Sequence, residues 1–248
     1  TLDSTGDTKS YSGDWQNGGP KTYTLTTGEE HLDLSSKSLG PADVTLVAAW
    51  LTTSAGAAVA DLNISEAIIG DAGATLVEAI SSSSTLNFIT IGKGLRLPLK
   101  DNYDSDVLDA SKKGIEHGGV AVIAWWLTTS AAAALSSLVV SNNPNIGDKG
   151  AGYLIDSIIC TAHKRILSIE HDGCNIGEKA SKFLTYWPTL SSWAPGNALT
   201  DHDQLARFAV EYGHPLVQEA TSLQSPLTAT IMDVAQLLSG DEHHSDFE

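Results

Sequence analysis

Residues 48–74 read AAWLTTSAGAAVADLNISEAIIGDAGA, and the chain contains a second copy of this stretch. The copy is AWWLTTSAAAALSSLVVSNNPNIGDKGA, residues 124–151, with one inserted residue. Further upstream, residues 32–64 align with residues 108–140 without a gap, so that Trp50 falls on Trp126. Chance does not produce a match of this length. A long internal repeat indicates a chain built from stacked copies of one structural unit.

Each copy divides into shorter units of about 22 to 30 residues, the length range of a leucine-rich repeat. Every unit opens with alternating apolar residues, as in Leu62 and Ile64, which predicts a short strand with one buried face. A turn and an apolar anchor follow. The opening phrases are HLDLSSKSL (31–39), DLNISEAII (61–69), VLDASKKGI (107–115), SLVVSNNPNI (137–146) and ILSIEHDGCNI (166–176), and the anchors are Leu39, Ile69, Ile115, Ile146 and Ile176.

After the anchor comes G-D-x-G-A or a related phrase, and then apolar residues at helical spacing. Asp71 and Asp148 stand where an acidic side chain serves the start of a helix. One helix is expected to bury Leu76, Val77 and Ile80, and another to bury Tyr153, Leu154, Ile155 and Ile158.

The pattern L-x-L-x-x-(N/C)-x-(I/L)-G-D-x-G-A, followed by an amphipathic helix, resembles the ribonuclease-inhibitor-like leucine-rich repeats. The resemblance covers residues 31–187 and implies an α/β solenoid of about five or six repeats, with a short parallel β-sheet on the concave side and helices on the convex side. Asn143 and Cys174 stand near the family's buried Asn or Cys position, whose side chain bonds backbone groups of the turn. Other repeats carry Lys37, Ala67 and Lys113 there, so the ladder is incomplete.

One unit, TLNFITIGKGLRLPLKDNYDS at 85–105, departs from the pattern. Leu86, Ile89 and Ile91 supply a strand, but no helical period follows Pro98. We expect a loop in place of the convex helix, and a harmless irregular repeat is the favoured interpretation because loops tolerate insertion.

Solenoids need caps because their end repeats cannot bury their outer faces. Residues 1–30 form the predicted N-terminal cap, anchored by Trp15 and Tyr23, with KTYTLT (21–26) as a short strand over the first repeat. Residues 188–248 form the predicted helical C-terminal cap and acidic tail. Thr200 with Asp203 resembles a capping box, and a last helix is expected from Pro226 to Gly240.

The chain has 248 residues, 14 Lys+Arg and 30 Asp+Glu, which gives a formal net charge of -16. A field of that sign repels phosphate backbones and anionic headgroups, so nucleic acids and membrane surfaces are poor partners. Gly118 to Ile146 carries no charge and is long enough to cross a bilayer. Its Ser, Thr, Asn and Pro content favours a helix, a loop and a strand over a membrane span.

The sequence shows no G-x-S-x-G, P-loop, H-E-x-x-H or C-x-x-C motif. His202 between Asp201 and Asp203, and the pair His243–His244, could bind a metal, but a helix start and a solvated tail explain them as well. Two buried thiols, Cys160 and Cys174, are preferred to a disulfide, and to a nucleophile formed by Cys174 with His171. We predict a non-catalytic protein with no cofactor and no metal.

Residues that flank the buried strand positions are expected to line the concave sheet and bind a protein partner. Five are acidic, and stacked strands would bring their carboxylates together across about 4.8 Å, which favours a basic partner. A merely solvated acidic surface is the equal alternative. The predicted residues are Asp33, Ser35, Asp61, Asn63, Ser65, Asp109, Ser111, Val139, Ser141, Glu170 and Asp172.

Two functions remain open. The leading hypothesis is a protein-interaction module. The alternative is a structural subunit of a larger assembly, docked through its caps. The Ala-rich, charge-poor helices favour this alternative. The chain starts at Thr1 rather than Met. An intracellular setting is favoured, either the cytoplasm or an organelle after removal of a targeting segment.

Overall fold

The computed structural model describes residues 1–7, 20–161, 167–178, 180–181 and 183–185. Helices and short strands follow one another along this part of the chain, and each strand is only two to four residues long. The strands are Leu2–Asp3 (β1), Thr22–Tyr23 (β2), His31–Asp33 (β3), Asp61–Asn63 (β4), Phe88–Ile91 (β5), Leu95–Pro98 (β6), Val107–Asp109 (β7), Ser137–Val139 (β8) and Ser168–Glu170 (β9). The helices are Pro41–Leu51 (α1), Gly73–Ser82 (α2), His117–Leu127 (α3) and Gly147–Thr161 (α4).

The described strands form three sheets. β1 and β2 make a small antiparallel pair, β3-β4-β5-β6 make a four-stranded sheet, and β7-β8-β9 make a three-stranded sheet. β3, β4 and β5 are parallel to one another, as are β7, β8 and β9, whereas β6 runs antiparallel to β5. The predicted mixture of helices and parallel sheets is therefore confirmed.

The core lies between the strands and the helices. The central residue of each parallel strand is buried and pairs with its equivalent on the next strand, as Leu62 does with Leu32 and Ile89. Leu138 likewise pairs with Leu108 and Ile169. The anchors Leu39, Ile69, Ile115 and Ile146 are buried beyond the turns, and Ile176 packs against the core while partly exposed. The alternation read from the sequence thus identifies the buried face correctly.

Each helix packs against the next one along the chain, α1 on α2, α2 on α3 and α3 on α4. α2 meets α3 directly although the irregular unit separates them in sequence. Two glycines permit this approach: a Cβ on Gly118 would lie 2.3 Å from the Gly70 carbonyl oxygen, and one on Gly73 would lie 2.9 Å from the Gly118 oxygen. The helix layer therefore closes over the place where a helix is missing.

The irregular unit is a β-hairpin. Gly92–Gly94 turns the chain from β5 into β6, whose Leu95 and Leu97 are buried, and a loop follows Pro98. A loop without a helix was expected there, but the returning strand β6 was not. Trp126 of α3 holds the hairpin end, because its Nε1 donates to the Pro98 oxygen at 2.5 Å and its ring meets Tyr103 edge-on at 5.6 Å.

An N-terminal cap packs on the first unit. The carboxylate of Asp43, in the first turn of α1, accepts hydrogen bonds from the Thr5 amide (2.7 Å), the Thr5 hydroxyl (2.7 Å), the Gly40 amide (2.8 Å) and the Tyr23 hydroxyl (3.0 Å). Burial acts to raise the pKa of Asp43, but these bonds outweigh it and hold the pKa below its ordinary value. Tyr23 is buried as expected, while Trp15 lies outside the described residues.

Carboxylates also join neighbouring units at the helix starts. Glu116 accepts four backbone N–H groups, two from its own helix (Gly118 and Gly119) and two from the unit of β4 (Ile69 and Gly70), across the irregular unit. Asp148 accepts the Gly177 amide of the following unit at 2.5 Å. Asp71 lies in a 3-10 turn, Gly70–Ala72, and contacts Lys149 and His117 rather than the amides of α2, so the capping role expected for it is wrong.

The Asn143 prediction is confirmed. The side chain is fully buried; its Oδ1 accepts from the Ile115 amide at 3.0 Å, and its Nδ2 donates to the Ala110 and Val140 carbonyls at 2.9 and 2.7 Å. Cys174 extends this ladder, since its Sγ lies 3.1 Å from the Val140 oxygen. The side chain of Cys160 and the segments predicted around Thr200, His202, Pro226 and the C-terminal tail lie outside the described residues.

Candidate functional site

The strand face is the outward side of β3–β9 together with the turn residue two positions beyond each of β3, β4, β7, β8 and β9. All eleven residues predicted for binding lie on it, six in strands and five in turns, and each is half-buried or exposed. They divide between two sheets. Asp33, Ser35, Asp61, Asn63 and Ser65 belong to the four-stranded sheet, and Asp109, Ser111, Val139, Ser141, Glu170 and Asp172 to the three-stranded sheet.

The expected stacking of carboxylates across the strands is wrong. On the first sheet Asp33 pairs with Asn63, and Asp61 pairs with His31 on one side and Phe88 on the other. On the second sheet, Val139 separates Asp109 from Glu170. Each strand carboxylate therefore has an uncharged or histidine neighbour directly opposite, which lowers the repulsion that like charges in that position would cause.

Asp61 has a cationic partner that the sequence analysis missed. Arg96 of β6 places Nη2 2.8 Å from the Asp61 Oδ2, and its guanidinium carbon lies 4.1 Å from the centre of the Phe88 ring. His31 Nδ1 is 3.8 Å from the same oxygen, and the Asp61 side chain is 17% exposed. This cluster neutralises the acidic charge of the first sheet at its centre. The missed signal was Leu95-Arg96-Leu97 after Gly92-Lys93-Gly94, a strand alternation following a glycine-rich turn.

Three units share a hydrogen bond that fixes the side chain at the strand end. The Oδ1 of Asp33, Asn63 and Asp109 accepts the amide two residues ahead, at 2.9, 3.0 and 2.9 Å, in each case from a serine. Such Asx turns favour the change of direction after a strand. The hydrogen bonds from the following serines hold the pKa values of Asp33 and Asp109 below their ordinary range, so both carboxylates stay ionised at neutral pH.

The second sheet carries the exposed acidic part of the strand face. Asp109, Glu170 and Asp172 are all exposed, and no ion pair among the described residues involves any of them. Lys112 and Lys113 lie close enough to Asp109 to contribute to its lowered pKa, whereas Glu170 and Asp172 lie farther along the sheet on the last described strand and its turn.

No group of three or more His, Cys, Asp or Glu side chains within the described ranges is arranged to hold a metal ion. Cys174 carries a free thiol whose pKa is raised by burial, and that thiol contacts the Val140 carbonyl. The nearby His171 places Nε2 3.3 Å from the Thr185 hydroxyl. A thiol held in its protonated form is a poor nucleophile, which agrees with a structural role for Cys174.

Among the helices the structure describes, none has the length and apolar character needed to cross a membrane. The uncharged stretch from Gly118 to Ile146 contains most of α3, a short 3-10 turn and β8. Comparison with models of known protein families and with curated proteins gave no match.

Proposed function

We propose that the chain is a leucine-rich-repeat solenoid that recognises a basic protein partner through its strand face. The observation that carries the proposal is the construction of that face: exposed carboxylates stand on or directly after short parallel strands whose central residues pair with one another in a buried row. Side chains fixed on such a scaffold lose little conformational entropy when they bind.

The acidic three-stranded sheet is the favoured contact region. Arg96 offsets the charge of Asp61 on the first sheet, whereas Asp109, Glu170 and Asp172 have no ion-pair partner among the described residues. The net charge of -16 adds a long-range field that speeds the approach of a basic surface. Because each contact is partly exposed, salt should weaken the complex.

The test is a pull-down from native extract at low salt, repeated at high salt, with mass spectrometry of the retained proteins. One variant combines Asp109→Asn, Glu170→Gln and Asp172→Asn, which removes three charges while leaving Asx-type hydrogen bonding possible at position 109, as Asn63 shows. We expect this variant to retain the basic partner about tenfold less well at low salt.

The matched control removes three exposed charges elsewhere: Glu78→Gln on α2 with Asp101→Asn and Asp104→Asn in the loop after β6. It changes the net charge equally and should retain the partner. Equal loss in both variants would show that only total charge matters, and the strand face would then not be the binding site.

A structural subunit is the second candidate. Leu2 in the N-terminal segment and Leu46 on α1 are 40% and 42% exposed, and a permanent contact at this end of the chain would cover them. Partners that copurify in fixed stoichiometry and survive high salt would favour this function over recognition of a basic protein.

A further inference from the structure

A cleft of about 510 Å³ opens beside the irregular unit, among the turns that lead from the parallel strands towards the helix starts. Residues of four units line it, including Asn145 from the unit of β8. Ala67 and Ile68 come from the unit of β4, Lys93 from the hairpin turn, and Lys113, Glu116 and His117 from the unit of β7.

The cleft exists because the hairpin contributes neither an anchor nor a helix. In the neighbouring units the chain passes from the turn to a buried isoleucine, Ile69 or Ile115, and then to a helix start. At Gly92–Gly94 the chain instead reverses into β6. Between the turns of the units of β4 and β7, the chain therefore supplies only Gly92-Lys93-Gly94. The space between these turns stays open.

One wall of the cleft is apolar and another is cationic. Ile68 is 54% exposed, the most exposed of the large apolar side chains in the described residues, and Ala67 beside it is half-buried. Lys93 and Lys113 supply the charge, and the Lys113 ammonium donates to the Lys93 carbonyl at 3.4 Å. Neither lysine pairs with a carboxylate among the described residues, although the chain is strongly acidic.

The acidic residues at the cleft are already engaged. The Glu116 carboxylate accepts two first-turn amides of α3 and two amides of the unit of β4, so both its oxygens are occupied. Glu66 at the rim accepts from the Ser36 hydroxyl at 3.0 Å. The helix N-terminus is therefore not a free anion site here, and the groups left to receive an anion are the two ammonium groups.

We propose that this cleft binds an acidic segment of a partner protein, with an apolar side chain against Ile68 and Ala67 and carboxylates on Lys93 and Lys113. The charge complementarity is opposite to that of the strand face, which attracts basic surfaces. The cleft thus adds a second binding site with a different partner chemistry, and it would operate whether or not the strand face binds a protein.

The experiment titrates the whole chain into a fluorescein-labelled hexapeptide of alternating aspartate and leucine with blocked ends, and follows anisotropy at low salt. Saturable binding is expected. The double variant Lys93→Ala with Lys113→Ala should bind about tenfold more weakly. Ile68→Asp should also weaken binding, because it removes the apolar contact and adds a like charge.

The matched control is Lys37→Ala with Lys100→Ala, which removes the same charge outside the cleft; Lys37 precedes the first anchor as Lys113 precedes the third. It should bind the peptide with nearly unchanged affinity, and circular dichroism verifies the fold of each variant. The proposal is overturned by absent saturation, by equal loss in the control, or by unchanged binding in the lysine double variant.

Discussion

At the scale of single residues, Asn143 shows how one side chain joins two units. Replacement by alanine would leave the Ile115 amide and the Ala110 carbonyl without their partner in a fully buried site, and the Val140 carbonyl with only the Cys174 thiol. We expect Asn143→Ala to lower the free energy of unfolding by about 2–4 kcal/mol. Urea denaturation measures this, with Asn102→Ala in an exposed loop as the control, expected within about 0.5 kcal/mol of the unchanged chain.

Asp156 on α4 gives stability a pH dependence of its own. The residue is 4% exposed, its Oδ1 has no hydrogen-bond partner among the described residues, and burial raises its pKa to about 7. In the unfolded chain the carboxyl group loses its proton near pH 4. Between about pH 4 and pH 7 the folded state therefore binds more protons than the unfolded state, and stability falls as pH rises through this window.

Asp156→Asn removes that titration, because an amide stays uncharged. Relative to the unchanged chain, we expect the variant to gain stability as pH rises from about 4.5 to 8, by as much as about 4 kcal/mol. Urea denaturation of both proteins across this range measures the difference, in which the other titrating groups cancel. A difference that does not change with pH would contradict a neutral buried Asp156.

At the scale of elements, two glycines on neighbouring helices carry opposite predictions. A Cβ at Gly118 would meet the Gly70 backbone at 2.3 Å and force α2 away from α3, so Gly118→Ala should cost about 2–3 kcal/mol. Gly152 on α4 has nothing within 4 Å of such a Cβ, so Gly152→Ala should stabilise by about 0.5–1 kcal/mol through helix propensity. The midpoint temperature of thermal unfolding, measured for both variants, tests these predictions. Equal destabilisation by the two substitutions would contradict the close α2–α3 contact.

The hairpin is the part of the described fold whose second strand, β6, the hydrophobic pattern of the sequence did not predict. The regular units were predictable because alternation and a following anchor repeat five times along the chain. β6 was not, since Leu95-Arg96-Leu97-Pro98 is too short to be distinguished from a loop by periodicity, and proline is usually depleted in strands. Because β6 was not predicted, the ion pair of Arg96 with Asp61 at the centre of the first sheet was not predicted either.

Side-chain neighbours on the strand face depend on more than alternation. Alternation correctly separated buried from exposed positions, so every predicted site residue is at least partly exposed. Which residues stand opposite each other depends on the pairing register, and that register places Asn63 beside Asp33 and Val139 between Asp109 and Glu170. The sequence could indicate how acidic the face is but not how its charges are spaced.

At the scale of the whole molecule, the proposed solenoid implies that a substitution destabilises its own unit most and distant units least. In a linear array each unit contacts only its neighbours, so stability is a sum of units and interfaces. Asp43 is the place to test this, because its carboxylate accepts hydrogen bonds from Thr5, Gly40 and Tyr23 and so joins the N-terminal residues to the first unit. Asp43→Ala should destabilise that end by about 2–4 kcal/mol, since buried donors lose their acceptor.

Hydrogen–deuterium exchange of backbone amides, measured by mass spectrometry, distinguishes destabilisation confined to one end from unfolding of all the described units together. We expect Asp43→Ala to speed exchange most in residues 1–7, in β2 and in the unit of α1, less in α2, and least in α3 and α4, because the disturbance must cross one interface after another. Gly118→Ala serves as the comparison, with its largest effect in the middle of the helix layer. Exchange that rises equally from β3 to β9 after Asp43→Ala would mean that the described units unfold as one body, and the solenoid would be the wrong description of this chain.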